Sequence, residues 1–186
     1  MHPVCACWHP PQALPPRAFA PIANLYSLDL HDCRIANLSL AAFAGVESLR
    51  VLRLSGNSLP ALPSPHLRGL ERLEELSLGG NPIEVIPAQA LPGLRKLRAL
   101  DLSSSPLLAL VQAGAFSHLS SLAWLSLSGC PGLRVEEGAL LHLTSLHTLH
   151  LAHLGWASVD RSHTHSLTPN STFADDHTFT FQSLQL

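Results

Sequence analysis

The chain has 186 residues, a formal net charge of −2 and a hydrophobic content of 46%, which suffices for one ordinary domain or a short repeat array. The near-neutral charge, without any dense run of Lys or Arg, argues against a nucleic-acid partner and against a polybasic membrane surface. No unbroken apolar stretch approaches the ~18 residues that a transmembrane helix needs, so we expect no such segment in this chain.

A leucine pattern of the form LxxLxL recurs along the chain with a period of 24 residues and one single-residue insertion. The six sets are Leu25/Leu28/Leu30, Leu49/Leu52/Leu54, Leu73/Leu76/Leu78, Leu97/Leu100/Leu102, Leu122/Leu125/Leu127 and Leu146/Leu149/Leu151. The first five sets are followed, at a fixed offset, by an asparagine or a replacement, in the order Cys33, Asn57, Asn81, Ser105 and Cys130. Self-similarity at this period predicts a solenoid in which each repeat forms one coil.

Residues 49–72 illustrate the predicted coil. The segment LRVLRL forms a short strand, in which Leu52 and Leu54 point toward the core while Arg53 points to the opposite side. Asn57 follows at the turn, where its amide can satisfy buried backbone groups of adjacent coils. We therefore expect a strand on one side of each coil and an asparagine position just beyond it.

The second half of several repeats carries a proline and apolar residues at a shared spacing. The sets are Leu62-Pro63 with Leu67 and Leu70, Leu14-Pro15 with Phe19 and Ile22, and Ile86-Pro87 with Leu91 and Leu94, while Phe43 and Phe116 fill the same slot elsewhere. This LPxxxFxxL form resembles the typical class of leucine-rich repeats, which is found mostly in extracellular and receptor proteins. The resemblance covers roughly residues 11–154. It implies an α/β solenoid, a leucine-rich repeat horseshoe with a parallel β-sheet on its concave face and irregular, 3-10 or short helical convex segments.

The repeat phase divides the chain into three regions. Residues 1–24 are interpreted as a degenerate or truncated N-terminal repeat, because the LxxLxL phase extends back into them and puts Val4 at a leucine position. Residues 25–154 form the array of six repeats. Residues 155–186 form a Ser/Thr/His-rich tail, for which disorder and a capping strand at residues 178–181 are both open.

The four cysteines fall into two groups. Cys5-Ala6-Cys7 resembles the CxC core of the N-terminal cap of extracellular repeat proteins, although a complete cap is recognisable at neither end, and the pairing of Cys5 and Cys7 is open. Cys33 and Cys130 occupy the asparagine position four coils apart, which at the spacing of adjacent strands is roughly 19 Å and too far for a disulfide. We therefore expect Cys33 and Cys130 to be free, buried thiols.

Two glycosylation sequons, at Asn37 and Asn170, agree with the repeat class in indicating an extracellular location, either secreted or in the ectodomain of a cell-surface protein. Asn37 follows a predicted strand exit, so we expect it to be exposed. The N-terminal residues lack the basic start and continuous apolar run of a secretory signal. The missing signal and caps favour a fragment, an isoform or an incomplete gene model, and they leave a cytoplasmic location as the alternative.

The concave face is predicted from the residues that alternate with the strand leucines. One column runs Ser27, Val51, Glu75, Ala99, Trp124 and Thr148, and the next runs Asp29, Arg53, Ser77, Asp101, Ser126 and His150. The candidate ligand-binding residues are Trp124, Glu75, Arg53, Asp29, Asp101 and His150. Trp124 leads because an exposed indole among small polar residues is a frequent binding anchor. Packing of this indole on neighbouring strands, and simple solvation of the charged residues, are the alternatives.

Metal binding and catalysis are not indicated. His147 and His150 are an odd number of strand positions apart and face opposite sides, and neither cysteine nor carboxylate stands at zinc-like spacing around His163 and His165. The chain also lacks GxSxG, HExxH and a glycine-rich phosphate loop. We expect no enzymatic activity, no metal and no cofactor.

Residues 73–151, which include LSLGGNPIEVIP and LSLSGCPGL, resemble tsukushi and related small secreted leucine-rich proteins. That resemblance implies a secreted modulator of growth-factor signalling, with ligands of the bone morphogenetic protein or Wnt type, while the ectodomains of Toll-like and other receptors fit nearly as well. The predicted function is a protein–protein interaction module that binds a protein ligand through the concave face. An intracellular scaffold or adaptor, and a truncated isoform without independent function, are the alternatives.

Overall fold

The computed structural model describes residues 4–5, 13–22, 24–154, 171–173 and 178–181. Its strands are β1 (Val4–Cys5), β2 (Ala13–Leu14), β3 (Ser27–Asp29), β4 (Asn37–Leu38), β5 (Val51–Arg53), β6 (Glu75–Ser77), β7 (Val85–Ile86), β8 (Ala99–Asp101), β9 (Leu110–Val111), β10 (Trp124–Ser126), β11 (Arg134–Val135), β12 (Thr148–His150), β13 (Ser171–Phe173) and β14 (Thr178–Phe181). Coils 1 to 6 are numbered by their first leucine, at Leu25, Leu49, Leu73, Leu97, Leu122 and Leu146, and coil 0 precedes them.

One strand from each coil joins a long main sheet with the order β1-β3-β5-β6-β8-β10-β12-β14-β13. From β1 to β12 the pairing is parallel, and the middle leucines of the repeat are aligned, as in the pair of Leu52 with Leu76. Leu52 and Leu54 are fully buried, whereas Arg53 between them is half-buried on the outer face. The predicted strand register and the leucine-rich solenoid are therefore confirmed.

The main sheet extends beyond the six leucine sets in both directions. At the N-terminal side, β1 pairs with β3 so that Val4 lies opposite Leu28, which is the 24-residue phase predicted for coil 0. At the C-terminal side, β14 pairs antiparallel with β12, and β13 pairs antiparallel with β14. Of the two possibilities left open for residues 178–181, the structure shows a strand that pairs with β12, and the division of the chain into three regions stays a prediction.

Buried asparagines connect consecutive coils behind the main sheet. The Asn57 Nδ2 group donates to the carbonyl oxygens of Leu54 and Leu30, both at 2.8 Å, and its Oδ1 accepts the N–H groups of Cys33 and Ile35 at 3.1 and 2.9 Å. Asn81 repeats the arrangement one coil later, donating to the carbonyl oxygens of Leu54 and Leu78. These bonds satisfy backbone groups that the tight turns remove from water. We call this series, from coil 1 to coil 5, the ladder.

Coil 4 is the weak point of the ladder. Ser105 occupies the ladder position there, and its fully buried Oγ has no hydrogen-bond partner among the described residues. The serine side chain is too short to span the two carbonyl groups that an asparagine amide reaches. In coil 5 the thiol of Cys130 partly compensates, because it donates to the carbonyl oxygen of Leu102 in coil 4 at 3.4 Å.

A second line of short strands runs along the flank of the coils, and it is divided in two. The described lateral sheets contain β2 and β4 on one side and β7, β9 and β11 on the other. Backbone hydrogen bonds link the strands of each lateral sheet. The N–H group of Ser39 donates to the carbonyl oxygen of Leu14, that of Gln112 to Ile86, and that of Glu136 to Val111. The equivalent residues of coils 2 and 3 are prolines, Pro63 and Pro87, which have no N–H to donate.

The interruption leaves a groove at the flank. Its volume is about 390 Å³, and its walls come from coils 2 and 3, including Leu62, Pro65, Val85 and Pro87. The same prolines that give the repeats their LP pattern therefore separate the lateral sheets. We call this interruption the proline seam.

The convex side consists mainly of turns, with one short 3-10 helix at Ser64–Leu67. The predicted phenylalanine slot is buried, and the rings of Phe19 and Phe43 stack in successive coils with centroids 6.2 Å apart. Ile22 departs from the pattern, because its side chain is 36% exposed. None of the helices in the described part of the chain has the length and hydrophobicity needed to cross a membrane.

The register predicts opposite effects for two neighbouring substitutions in coil 3. Leu78→Asp places a charge where the side chain is 0% exposed, and we expect a cost on the order of 5 kcal/mol, comparable to the whole stability of a small domain. Glu75→Ala, on the exposed face, should leave the free energy of unfolding almost unchanged. The stability of both variants is measured by thermal unfolding, followed by circular dichroism. Equal tolerance of the two changes would refute the register.

The gap in the ladder predicts a stabilising substitution. Ser105→Asn supplies the amide missing from coil 4, and we expect the free energy of unfolding to rise by ~1 kcal/mol. The control is Ser58→Asn, which introduces the same side chain at an exposed position just beyond Asn57. Urea denaturation compares the two variants. A destabilised Ser105→Asn variant would mean that the turn of coil 4 cannot accommodate an amide.

Candidate binding face

The six predicted ligand-binding residues all lie on the outward face of the main sheet, which is the concave face of the horseshoe. Glu75 is exposed, and the other five are half-buried: Asp29 on β3, Arg53 on β5, Asp101 on β8, Trp124 on β10 and His150 on β12. Parallel, in-register pairing places them in two columns that cross the coils. The structure thus gathers them on one surface, and their role in binding stays a prediction.

The first coils carry an ion pair on this face. The Asp29 Oδ1 atom lies 2.7 Å from His31 Nδ1 and also accepts the His31 N–H at 3.2 Å. The hydrogen bond to Asp29 raises the pKa of the exposed His31 imidazole. Burial raises the pKa of the Asp29 carboxyl, but the hydrogen bonds from His31 outweigh it and the net shift is downward. His31 was not among the predicted site residues, although its spacing of two residues from Asp29 could have indicated the pair.

The last coils of the face carry two aromatic rings. The Trp124 ring lies against the His150 ring of the next strand, with centroids 5.4 Å apart and planes tilted by 53°. Ala99 is paired with Trp124 on the opposite side, where a methyl group is the whole side chain. Trp124 therefore packs on a neighbouring strand and is also partly open to solvent, and its role as a binding anchor stays a prediction.

A third group of residues lies beside the strand starts and was not predicted. The guanidinium of Arg50 pairs with the carboxylate of Glu74 in the next coil and lies 5.7 Å above the ring centroid of Tyr26 in the preceding coil. The three residues are each 24 positions apart, so the repeat period could have indicated their contact. Tyr26 is 44% exposed, which leaves this row accessible at the edge of the binding face.

One cysteine prediction is confirmed and the other is wrong. Cys130 is a free, buried thiol, as predicted, and burial raises its pKa. Cys33, which we expected to be free, is disulfide-bonded instead. The expected strand spacing excluded only a bond between Cys33 and Cys130, and other partners of Cys33 were left open.

The two sequons differ in what the structure shows of them. Asn37 is exposed at the start of β4, as expected. Asn170 lies outside the described residues, while Ser171 and Thr172 of the same sequon belong to β13. Exposure makes Asn37 accessible to a glycan, and glycosylation at either site stays a prediction.

Metal binding finds no geometric support in the described part of the chain. No group of three or more His, Cys, Asp or Glu side chains lies close enough there to hold a metal ion. His163 and His165, the pair considered from the sequence, lie outside the described residues.

In-register parallel strands, leucine-filled coils and a buried asparagine ladder define a repeat solenoid with an open sheet face. The sequence model described as leucine rich repeat matches residues 23–83 and 71–131, which together are more than half of the chain. The chain therefore belongs to the leucine-rich repeat family. No curated protein matches it.

Solved structures support the same fold. A chain in the crystal structure of the TLR13-ssRNA13 complex shares 28% sequence identity with this chain, and the two structures match with a TM-score of 0.69. The match covers 76% of this chain and 21% of that chain. An internalin, InlF, from Listeria monocytogenes str. 4b F2365 is 21% identical, with a TM-score of 0.58, over 76% of this chain and 40% of that chain. The chain thus spans well under two thirds of the length of either protein.

The cysteine assignments predict distinct reactivities. Cys33 should resist alkylation in native and denatured protein until a reductant is added, because its sulfur is already bonded. Cys130 should react without reductant, but only after denaturation, because it is fully buried. Peptide mass spectrometry after sequential labelling with two alkylating reagents distinguishes them. Labelling of Cys33 without reductant would exclude the disulfide.

Proposed function

We propose that this chain is a protein–protein interaction module that binds a protein ligand through its concave face. The observation that carries the proposal is the row of half-buried and exposed side chains from Asp29 to His150, which occupies one continuous sheet face. An extended face of this kind offers many contacts to a large partner, and Trp124 offers a central aromatic anchor. No catalytic or cofactor role is proposed for these residues.

The charge of the face favours a protein over a nucleic acid. Asp29, Glu75 and Asp101 contribute three carboxylates to the two columns, whereas Arg53 contributes the single guanidinium there. Carboxylates repel a phosphate backbone, whose binding depends on Lys and Arg contacts. TLR13 was crystallised with a single-stranded RNA. Single-stranded RNA is therefore the competing ligand that a binding experiment should include.

We also propose an extracellular location, either as a secreted modulator of growth-factor signalling or as part of a receptor ectodomain. The disulfide at Cys33 supports an oxidising compartment, because structural disulfides are rare in the cytosol. The exposed Asn37 sequon supports a glycoprotein. An intracellular scaffold is the second candidate, favoured by the free thiol of Cys130. Expression in secreting animal cells behind a supplied signal peptide, followed by glycosidase treatment, distinguishes the two.

The binding face is tested with added glycans. Arg53→Asn completes a sequon with Leu54 and Ser55, and Asp101→Asn completes one with Leu102 and Ser103, so each places a glycan on the concave face. His118→Asn completes a sequon with Leu119 and Ser120 at an exposed convex position and serves as the control. We expect the parent chain and the His118→Asn variant to bind the same ectodomains in an arrayed library, and both concave variants to lose that binding.

Two controls complete this test. The Asp101→Asn protein produced without glycosylation separates the loss of charge from the bulk of the glycan. A single-stranded RNA oligonucleotide, tested in parallel, should not bind the parent chain. If only the His118→Asn variant loses binding, the binding site lies on the convex side and the proposal for the concave face is wrong. Binding of the RNA, blocked by the concave glycans, would overturn the protein-ligand proposal.

A further inference from the structure

The concave face has a small residue, Ala99, between two large side chains, and we call the space above it the gap. Glu75, Ala99 and Trp124 occupy the same position in β6, β8 and β10, and Ala99 is paired directly with both of the others. Adjacent strands lie ~4.8 Å apart, so the backbones of Glu75 and Trp124 are separated by two strand spacings with a single methyl group between them. The large side chains on either side therefore stand above a low floor at Ala99.

Asp101 closes one end of this gap. It lies two residues beyond Ala99 on the same strand, so both side chains project from the same face. Its own neighbours across the strands are Ser77 and Ser126, which are small. The Asp101 Oδ1 atom accepts the N–H of Ser103 at 3.0 Å, which orients the carboxylate on its strand.

Both carboxylates lack a positive partner among the described residues. The ion pairs there join His31 to Asp29 and Arg50 to Glu74, and neither involves Glu75 or Asp101. The Trp124 ring contacts His150 on the side of β12, whereas its paired residue on the side of β8 is Ala99, which has only a methyl group. The gap thus combines two carboxylates that form no ion pair among the described residues with one aromatic side chain.

We propose that this gap, bordered by Glu75, Asp101 and Trp124, receives an arginine side chain of the protein partner. The inference rests on the proposed function and specifies the chemistry of its ligand. A guanidinium stacks on an indole and forms paired hydrogen bonds with carboxylates, whereas an acidic or phosphorylated segment is repelled. The methyl floor at Ala99 leaves room for the planar group between the indole and Glu75. We call this gap the arginine subsite.

The subsite is tested on the full chain with two short capped peptides, Gly-Arg-Gly and its citrulline analogue, which has nearly the same shape without the charge. Nuclear magnetic resonance follows the indole N–H of Trp124, assigned through Trp124→Phe. We expect a saturable shift with the arginine peptide and weaker binding of the citrulline peptide. Glu75→Gln should weaken arginine binding by roughly two- to fivefold, because it removes one solvent-exposed ion pair. Added salt should weaken it further.

The matched control is Glu84→Gln, which removes the same charge from an exposed residue on the flank and should not change the affinity. Equal binding of both peptides, or equal effects of Glu75→Gln and Glu84→Gln, would overturn the subsite. No shift with either peptide, combined with blocked partner binding in the concave glycan variants, would refute the arginine subsite while the binding face stands. Peptide binding without any effect of the concave glycans on partner binding would refute the proposed function instead.

Discussion

Each coil of this solenoid depends on its neighbours to satisfy the backbone groups that its own tight turn buries. The amide of Asn57 shows the principle most fully, because it donates to carbonyl groups of two coils and accepts N–H groups from the preceding one. Without such bonds the cost of unpaired polar groups would offset the burial of the leucines. The leucine core supplies most of the stabilisation, and the ladder fixes the register in which that core can form.

That register is also what creates the binding face. Because strands of successive coils are aligned residue by residue, side chains 24 or 25 positions apart in the chain become neighbours across the sheet. Glu75, Ala99 and Trp124 are distant in the sequence, and they form a gap only through this alignment. The chemistry of the face can therefore change by single substitutions at outward positions, while the inward leucines and the ladder remain constant.

The sequence predicts the fold of this chain well because one pattern is repeated in every coil. Leu52 and Leu54 lie inward as their alternation requires, and Asn57 lies where a buried amide is needed. The disulfide at Cys33 was missed because only one partner, Cys130 at the same position of another coil, was considered for it. The split between the lateral sheets was missed because Pro63 and Pro87 were assessed one coil at a time, whereas their effect is on bonds between coils.

The candidate site was predictable in position but not in detail. The two columns follow directly from strand alternation, yet the tilt of Trp124 onto His150 depends on which neighbours are small, as Ala99 is. The row formed by Tyr26, Arg50 and Glu74 lies just outside those columns. Each of these residues directly precedes a strand, so strand alternation does not predict the direction of its side chain.

The proline seam has a mechanical consequence for the whole horseshoe. Coil 2 contributes no strand to either lateral sheet, and its flank is joined to coil 3 by the Ser64 hydroxyl, which donates to the carbonyl oxygen of Ala90, while coils 3 to 5 share a line of backbone hydrogen bonds there. Fewer backbone hydrogen bonds therefore cross the flank between coils 1 and 3 than between coils 3 and 5, and the flank should open locally at a lower free-energy cost there. A partner that contacts both Arg53 and Trp124 would bridge two parts of the sheet whose flanks differ in this backbone support.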